Sequence, residues 1–216
     1  MKVPESLKSF NEIVTKVVLE KCHGKKNILL PLSGGADSRA LLSILLKNHI
    51  DFTTLSWQDK LWQSDIRIAK SICKKINREF HVSPDFGYHI HDNDALLFYE
   101  HDLVLSGLLM SGLWDQYGRL TSSDKSHGEH VKKMMDWICE FKKTFPMFWV
   151  VALDHRIINE VNHVPWMYRM FSYPQRCIIQ CNYPGLLRFP FTAYNNREWL
   201  ARCGYYGFLL VGGMLF

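Results

Sequence analysis

Residues 31–39 read Pro-Leu-Ser-Gly-Gly-Ala-Asp-Ser-Arg and stand between a short apolar run, residues 27–32 (NILLPL), and a helical stretch, residues 38–48 (SRALLSILLKN). A run that short, bounded by Gly24 on one side and by Ser33, Gly34 and Gly35 on the other, is a strand buried on both faces. Two glycines let the backbone turn sharply and aim successive N–H groups at an anion, and the helix that follows adds its positive N-terminal end. The segment is therefore read as a phosphate site. Ser33 and Ser38 supply hydroxyl donors, and Asp37 is placed for Mg²⁺ rather than phosphate. The GxxxxGK[ST] and GxGxxG loops are both absent, which excludes a P-loop NTPase and a dinucleotide fold. The bland alternative is a tight turn that uses its glycines for geometry alone.

The rest of the chain supports that placement. Leu7, Phe10, Ile13, Val14, Val17 and Val18 recur at helical spacing, so residues 5–21 are predicted to be an amphipathic helix. After the loop and its helix come a strand at 51–57, a helix at 64–77, a strand at 79–82, a short helix at 93–100 and a strand at 102–106. Strands alternating with helices specify an α/β doubly wound parallel sheet with right-handed crossovers. From about residue 126 the strand signal disappears: residues 127–143, 147–162 and 195–203 read as helices, with turns between 165 and 181 and prolines at 165, 174, 184 and 190. The expectation is one domain over residues 1–216, with an α/β core to about residue 125 and a C-terminal helical cap over about 126–216.

With 216 residues the chain buries about 70% of its unfolded surface and needs no disulfide or structural metal. Lys plus Arg is 26 and Asp plus Glu 21, a net charge of +5, which suits an anionic small ligand and is too weak to argue for nucleic acid. Six cysteines without a repeating pattern read as reduced core thiols. Residues 1–10 lack a signal-type apolar region, and the longest apolar stretch, residues 208–216, is too short to span a bilayer, so a soluble cytoplasmic protein with no membrane contact is expected. Tyr205, Tyr206, Phe208, Leu209 and Leu210 form either a core tail or a surface for a second copy in a homodimer.

SGGADS is the signature of the PP-loop ATP pyrophosphatases, and five fixed letters in that pattern arise by chance in about one in several thousand chains of this size. More widely, the chain resembles the synthetase domain of asparagine synthetase without its glutaminase domain. LPLSGGADSRALL matches that family's loop and helix. Residues 64–76 followed by Phe80, His81 and Val82 resemble its second helix and third strand, Leu103-Val104-Leu105-Ser106-Gly107 its strand-then-SG element, and Arg188-Phe189-Pro190-Phe191 its RxPF stretch. The resemblance implies an adenine nucleotide alpha hydrolase-like fold and an AMP-forming ligase or amidotransferase-like enzyme that uses ATP and Mg²⁺. Such an enzyme adenylates a carboxylate or carbonyl oxygen, releases pyrophosphate, and lets an amine or ammonia displace AMP. It further implies that Ser33, Gly34, Gly35 and Ser38 hold pyrophosphate and Asp37 the metal. Adenine would lie against Leu55, Ser56 and Trp57, with Leu32 and Ser33 completing the pocket and Ser106 and Gly107 beside it. Trp57 serves equally well as a core aromatic.

The chain departs from that family at two places. Where the family carries the acidic segment SGEGxDE, residues 106–115 read SGLLMSGLWD, which leaves Asp115 as the displaced candidate metal ligand. The later lysine segment that contacts pyrophosphate is also missing. Its replacement is sought among Lys132, Lys133, Arg169, Arg176 and Arg188, with Arg169 or Arg176 preferred and Arg176 carried forward as the catalytic cation. Without a glutaminase, the nucleophile is free ammonia, an amine on a small-molecule, peptide or nucleotide acceptor, or ammonia from a partner protein. Two other readings stay open: a tRNA- or nucleobase-modifying PP-loop enzyme, and a degenerate module that binds ATP or AMP without chemistry.

Two further constellations are read as structural. His89, His91, Asp92, Asp94, His101 and Asp102 have metal-binding types but no ligand spacing, and fit a solvated loop with helix-capping aspartates. Cys177 and Cys181 share a helix face with no second pair, which argues for core packing and against sulfur transfer.

Overall fold

The apolar runs around residues 28–31, 53–57, 80–83, 103–106 and 148–150 become strands of one sheet. The computed structural model describes residues 3–57, 63–83, 98–108, 110, 124–169 and 172–191. The helices are α1 (Glu5–Cys22), α2 (Ala36–Lys47), α3 (Gln63–Ile76), α4 (Asp124–Thr144), α5 (His155–Val161) and α6 (Tyr173–Asn182). The strands are β1 (Ile28–Pro31), β2 (Thr53–Trp57), β3 (Phe80–Ser83), β4 (Leu103–Ser106) and β5 (Phe148–Val150). The sheet is a five-stranded, all-parallel, Rossmann-like one in the order β3-β2-β1-β4-β5. β1 and β4 are central, and Ile28, Leu29, Leu30, Leu103, Val104 and Leu105 are buried, as continuous apolar runs in a helix-covered sheet must be.

Right-handed crossovers put α2 and α3 on one face and α4 on the other. α6 packs along α2, and α1 inserts its stripe of Leu7, Phe10, Val14 and Val17 among α2, α5 and α6. On the α4 side, Phe141 and Phe145 join Phe98 and Phe148 in an aromatic cluster with ring centroids 4.7–5.8 Å apart.

The expected helix at 147–162 is corrected. Residues 148–150 are β5, pairing Val104 with Phe148, Leu105 with Trp149 and Ser106 with Val150, and the sheet therefore extends past residue 126. The run Phe148-Trp149-Val150-Val151 is apolar in either period, and its aromatic and β-branched residues favour a pleated surface once β4 offers an edge. The helix begins only at α5, where the Asp154 carboxylate accepts the Arg156 N–H at 3.0 Å. The expected helix at 195–203 and the apolar tail lie outside the described residues.

Candidate functional site

The chain winds outward from β1 through β2 to β3, then returns across the sheet to β4 on the other side of β1 and on to β5, so the carboxyl end of β1 is the switch point where open α/β sheets leave a crevice. Residues 32–35 leave the sheet there. The Leu32 N–H continues the ladder to the Leu55 carbonyl at 2.8 Å, and the buried Ser56 hydroxyl donates to the Leu32 carbonyl. From the other side, Gly107 follows buried Ser106 and touches the first turn of α2. A Cβ built at Gly107 would stand 3.1 Å from the Asp37 carbonyl carbon and the Ser38 nitrogen, so no side chain fits without moving backbone. The edge thereby gathers Leu32, Ser33, Gly34, Gly35, Asp37, Ser38, Leu55, Ser56, Ser106 and Gly107.

Inside the loop the N–H groups are engaged by side chains. Ser33 N–H donates to Ser38 Oγ at 3.0 Å, Gly35 N–H to Ser33 Oγ at 3.1 Å, and Gly34 N–H to Asp65 Oδ1 at 3.1 Å; the two serine hydroxyls lie 3.1 Å apart. Neither Gly34 nor Gly35 takes left-handed backbone. Gly35 has φ −77° and ψ 174°, and Gly24 is the described glycine with a positive φ. What Gly35 requires is space, since a Cβ there would stand 3.2 Å from Ser33 Oγ.

Asp37, in the first turn of α2, receives a hydrogen bond from Gln175 Nε2 at 3.0 Å. Gln175 is fully buried near the start of α6, just after Ser172, which takes left-handed backbone at φ 55°. Arg39, one turn into α2, is also fully buried. Its guanidinium donates to the carbonyls of Gly34 at 2.6 Å, Leu186 at 3.3 Å, Phe189 at 3.0 Å and Pro190 at 2.8 Å. It stands 4.0 Å from the centre of the Phe191 ring, and the Arg176 guanidinium stands 4.2 Å from the same ring. Burial, and then the neighbouring Arg176, pull the Arg39 pKa down to about 10, while Asp65 acts in the opposite direction.

Among the expected cations, Arg176 is thus tied to the loop through Phe191 and Arg39. Arg169 is buried in the turn before α6, whereas Lys132, Lys133 and Arg188 are exposed. Trp57 is half-buried and stacks on Phe98, with ring centroids 6.4 Å apart and planes at 21°. Asp115 lies outside the described residues, as do His89, His91, Asp92 and Asp94. Asp102 is a backbone clamp: its carboxylate accepts from the Lys26 N–H at 2.9 Å and the Asn27 N–H at 3.1 Å. Cys22, Cys73 and Cys177 are buried and Cys181 is partly so, but Cys139 is exposed, contrary to a uniform core reading of the thiols.

The roles of Gln175, Asp65 and Arg39 were not read from the sequence. Gln175 left one trace: it shares a buried stripe with Ile178, Ile179 and Asn182 on α6, and a glutamine on an apolar stripe needs a polar partner. Among the described residues no group of three or more His, Cys, Asp or Glu side chains could hold a metal ion. Asp37 and Asp65 are nonetheless both at the loop, and carboxylate oxygens suit Mg²⁺, which commonly takes one or two of them with the rest of its shell from water and phosphate. No helix among the described residues is long and apolar enough to cross a membrane. The chain matches no known family model and no curated protein.

Proposed function

We propose that the chain is an ATP-dependent, AMP-forming ligase or amidotransferase-like enzyme. In this reading a carboxylate or carbonyl oxygen takes the adenylyl group, pyrophosphate leaves, and an amine or ammonia displaces AMP. The observation that carries the reading is the SGGADS loop at the carboxyl end of β1, at the switch point of a parallel sheet, with the first turn of α2 held against Gly107. Ser33 and Ser38 offer their hydroxyls to the leaving pyrophosphate, the Gly35 N–H joins them when it exchanges the Ser33 oxygen for a phosphate oxygen, and Arg176, with Arg39 behind it, supplies the cation. Asp37, steadied by Gln175, holds Mg²⁺, which supplies charge neutralisation on the phosphates when bound. Leu55, Ser56 and the Leu32 backbone form the side on which the adenine is expected, and Trp57, committed to Phe98, serves as its wall.

A second reading, nucleotide binding without turnover, draws on one observation: the Ser33, Gly34 and Gly35 N–H groups already have side-chain acceptors. The deciding experiment incubates the protein and its Asp37→Ala variant with Mg-ATP and a small-molecule extract, then quantifies AMP, ADP and pyrophosphate by mass spectrometry. AMP and pyrophosphate from the wild type alone are expected. ADP as the product would overturn the mechanism, and ATP binding with no product would favour the second reading.

A further inference from the structure

Arg39 is a buried cation whose hydrogen bonds go to four backbone carbonyls and, among the described residues, to no carboxylate. Three of those carbonyls belong to residues 186–190, and the fourth is that of Gly34, inside the loop. One side chain thus ties the loop to a segment about 150 residues away in sequence. The Gly34 carbonyl and the Gly35 N–H belong to the same trans peptide unit and point in opposite directions. Drawing the Gly34 oxygen inward to 2.6 Å from Arg39 therefore turns the Gly35 N–H the other way, toward the Ser33 hydroxyl, to which it donates at 3.1 Å.

We propose that Arg39 is a positioning residue that sets the direction of the Gly35 N–H, and with it the donor set offered to a phosphate oxygen, by clamping the Gly34 carbonyl to the 186–190 backbone. This rests on the ligase reading above and assigns a task to a residue that touches no substrate. The clamp needs the planar fork of a guanidinium: Nη1 spans two carbonyls and Nη2 two more, whereas the ammonium of a lysine is a compact point donor on a flexible stem. Phe191 covers the guanidinium on one side. The geometry resists a flip of the Gly34–Gly35 peptide, which would turn a carbonyl acceptor toward the Ser33 hydroxyl in place of the N–H donor.

The test uses Mg²⁺-pyrophosphate as the probe, calorimetry on the wild type, Arg39→Lys and Arg39→Met, and circular dichroism to establish that each variant is folded at the assay temperature. Loss of one aimed donor to a charged ligand predicts roughly ten- to a hundredfold weaker binding in Arg39→Met, and Arg39→Lys does not restore it although it keeps the charge. A folded Arg39→Met, or a rescued Arg39→Lys, that binds like the wild type overturns the proposal. If neither variant folds, ¹⁵N-glycine NMR on the wild type decides, because the Gly35 amide resonance must shift on pyrophosphate saturation. A wild type that binds pyrophosphate with the Gly35 resonance unmoved overturns the role of Arg39 alone. A wild type that binds no pyrophosphate overturns the ligase reading itself.

Discussion

Gln175 Nε2 donates to Asp37 Oδ1 at 3.0 Å, joining the first turn of α6 to the first turn of α2 across 138 residues of sequence. The donor is fully buried, and its acceptor is the one carboxylate in the SGGADS loop. Replacing Gln175 by Leu keeps the volume and removes the donor. A hydrogen bond to a charged acceptor contributes about 1.5–3 kcal/mol, so Gln175→Leu lowers stability by about that amount in the wild type and by much less in an Asp37→Ala background. Denaturant titration of the four proteins measures the coupling, and equal losses in both backgrounds would show that the contact carries none.

Asp65 occupies the Gly34 N–H that an anion would be offered. Asp65→Ala removes that acceptor and a negative charge beside the loop, so Mg²⁺-free pyrophosphate binds about tenfold more tightly, the order expected for one charge-assisted bond. Calorimetry in the presence of a chelator gives the number. Unchanged affinity would mean that the carboxylate does not compete with the ligand.

The Asp102 clamp ties stability to pH. The Lys26 and Asn27 N–H groups hold the Asp102 carboxyl below its ordinary value of 3.8, so the folded chain releases this proton more readily than the unfolded one. A carboxylate lowered on folding stabilises above the unfolded pKa, and the gain is lost as the pH falls through the folded pKa. The melting-temperature difference between the wild type and Asp102→Asn is therefore constant from neutrality down to about pH 5 and shrinks below 3.8. A difference that widens on acidification would contradict the clamp.

Burial raises the pKa of Cys22 to about 11 and that of Cys177 to about 12, while Cys139 stands exposed on α4. The thiolate is the reactive form, so brief alkylation of the native protein at pH 8 labels Cys139 and spares Cys22 and Cys177. Peptide mass spectrometry reads the pattern, and denaturation should release all three sites to equal labelling. Early labelling of Cys177 would contradict the packing of α6 on α2.

Just beyond α2 and its cap Asn48, His49 takes left-handed backbone at φ 54°, and the Ile50 N–H reaches back to the Leu45 carbonyl at 3.0 Å. Glycine adopts that conformation without a side-chain clash. His49→Gly at this exposed position is predicted to raise stability by about 0.5–1 kcal/mol, or roughly 2–4 °C per kcal/mol in melting temperature for a chain of this size. Calorimetric melting checks it, and a lower melting temperature would show that the histidine side chain contributes more than its backbone costs.

The core strands, α1 to α3 and the loop were legible because each is written in local terms: a buried strand as an apolar run, a surface helix as a stripe, a tight junction as Ser33-Gly34-Gly35. β5 was not, since Phe148-Trp149-Val150-Val151 satisfies a helix or a strand equally, and the edge of β4 made the choice. At the loop, the sequence identified which residues assemble but not where their N–H groups point. Gly34 answers to Asp65 on α3, Asp37 to Gln175 on α6, and the Gly34 carbonyl to Arg39. Those partners lie 31, 138 and 5 residues away, and even the nearest of them is fixed by backbone that arrives some 150 residues later. The sequence by itself determined the α/β alternation, the position of the glycine loop and the residue types within it, because periodicity and turn chemistry act over a few residues. Only the tertiary structure decided the direction of each loop donor, because a peptide plane turns on which carboxylate, amide or guanidinium the folded chain brings within hydrogen-bond reach.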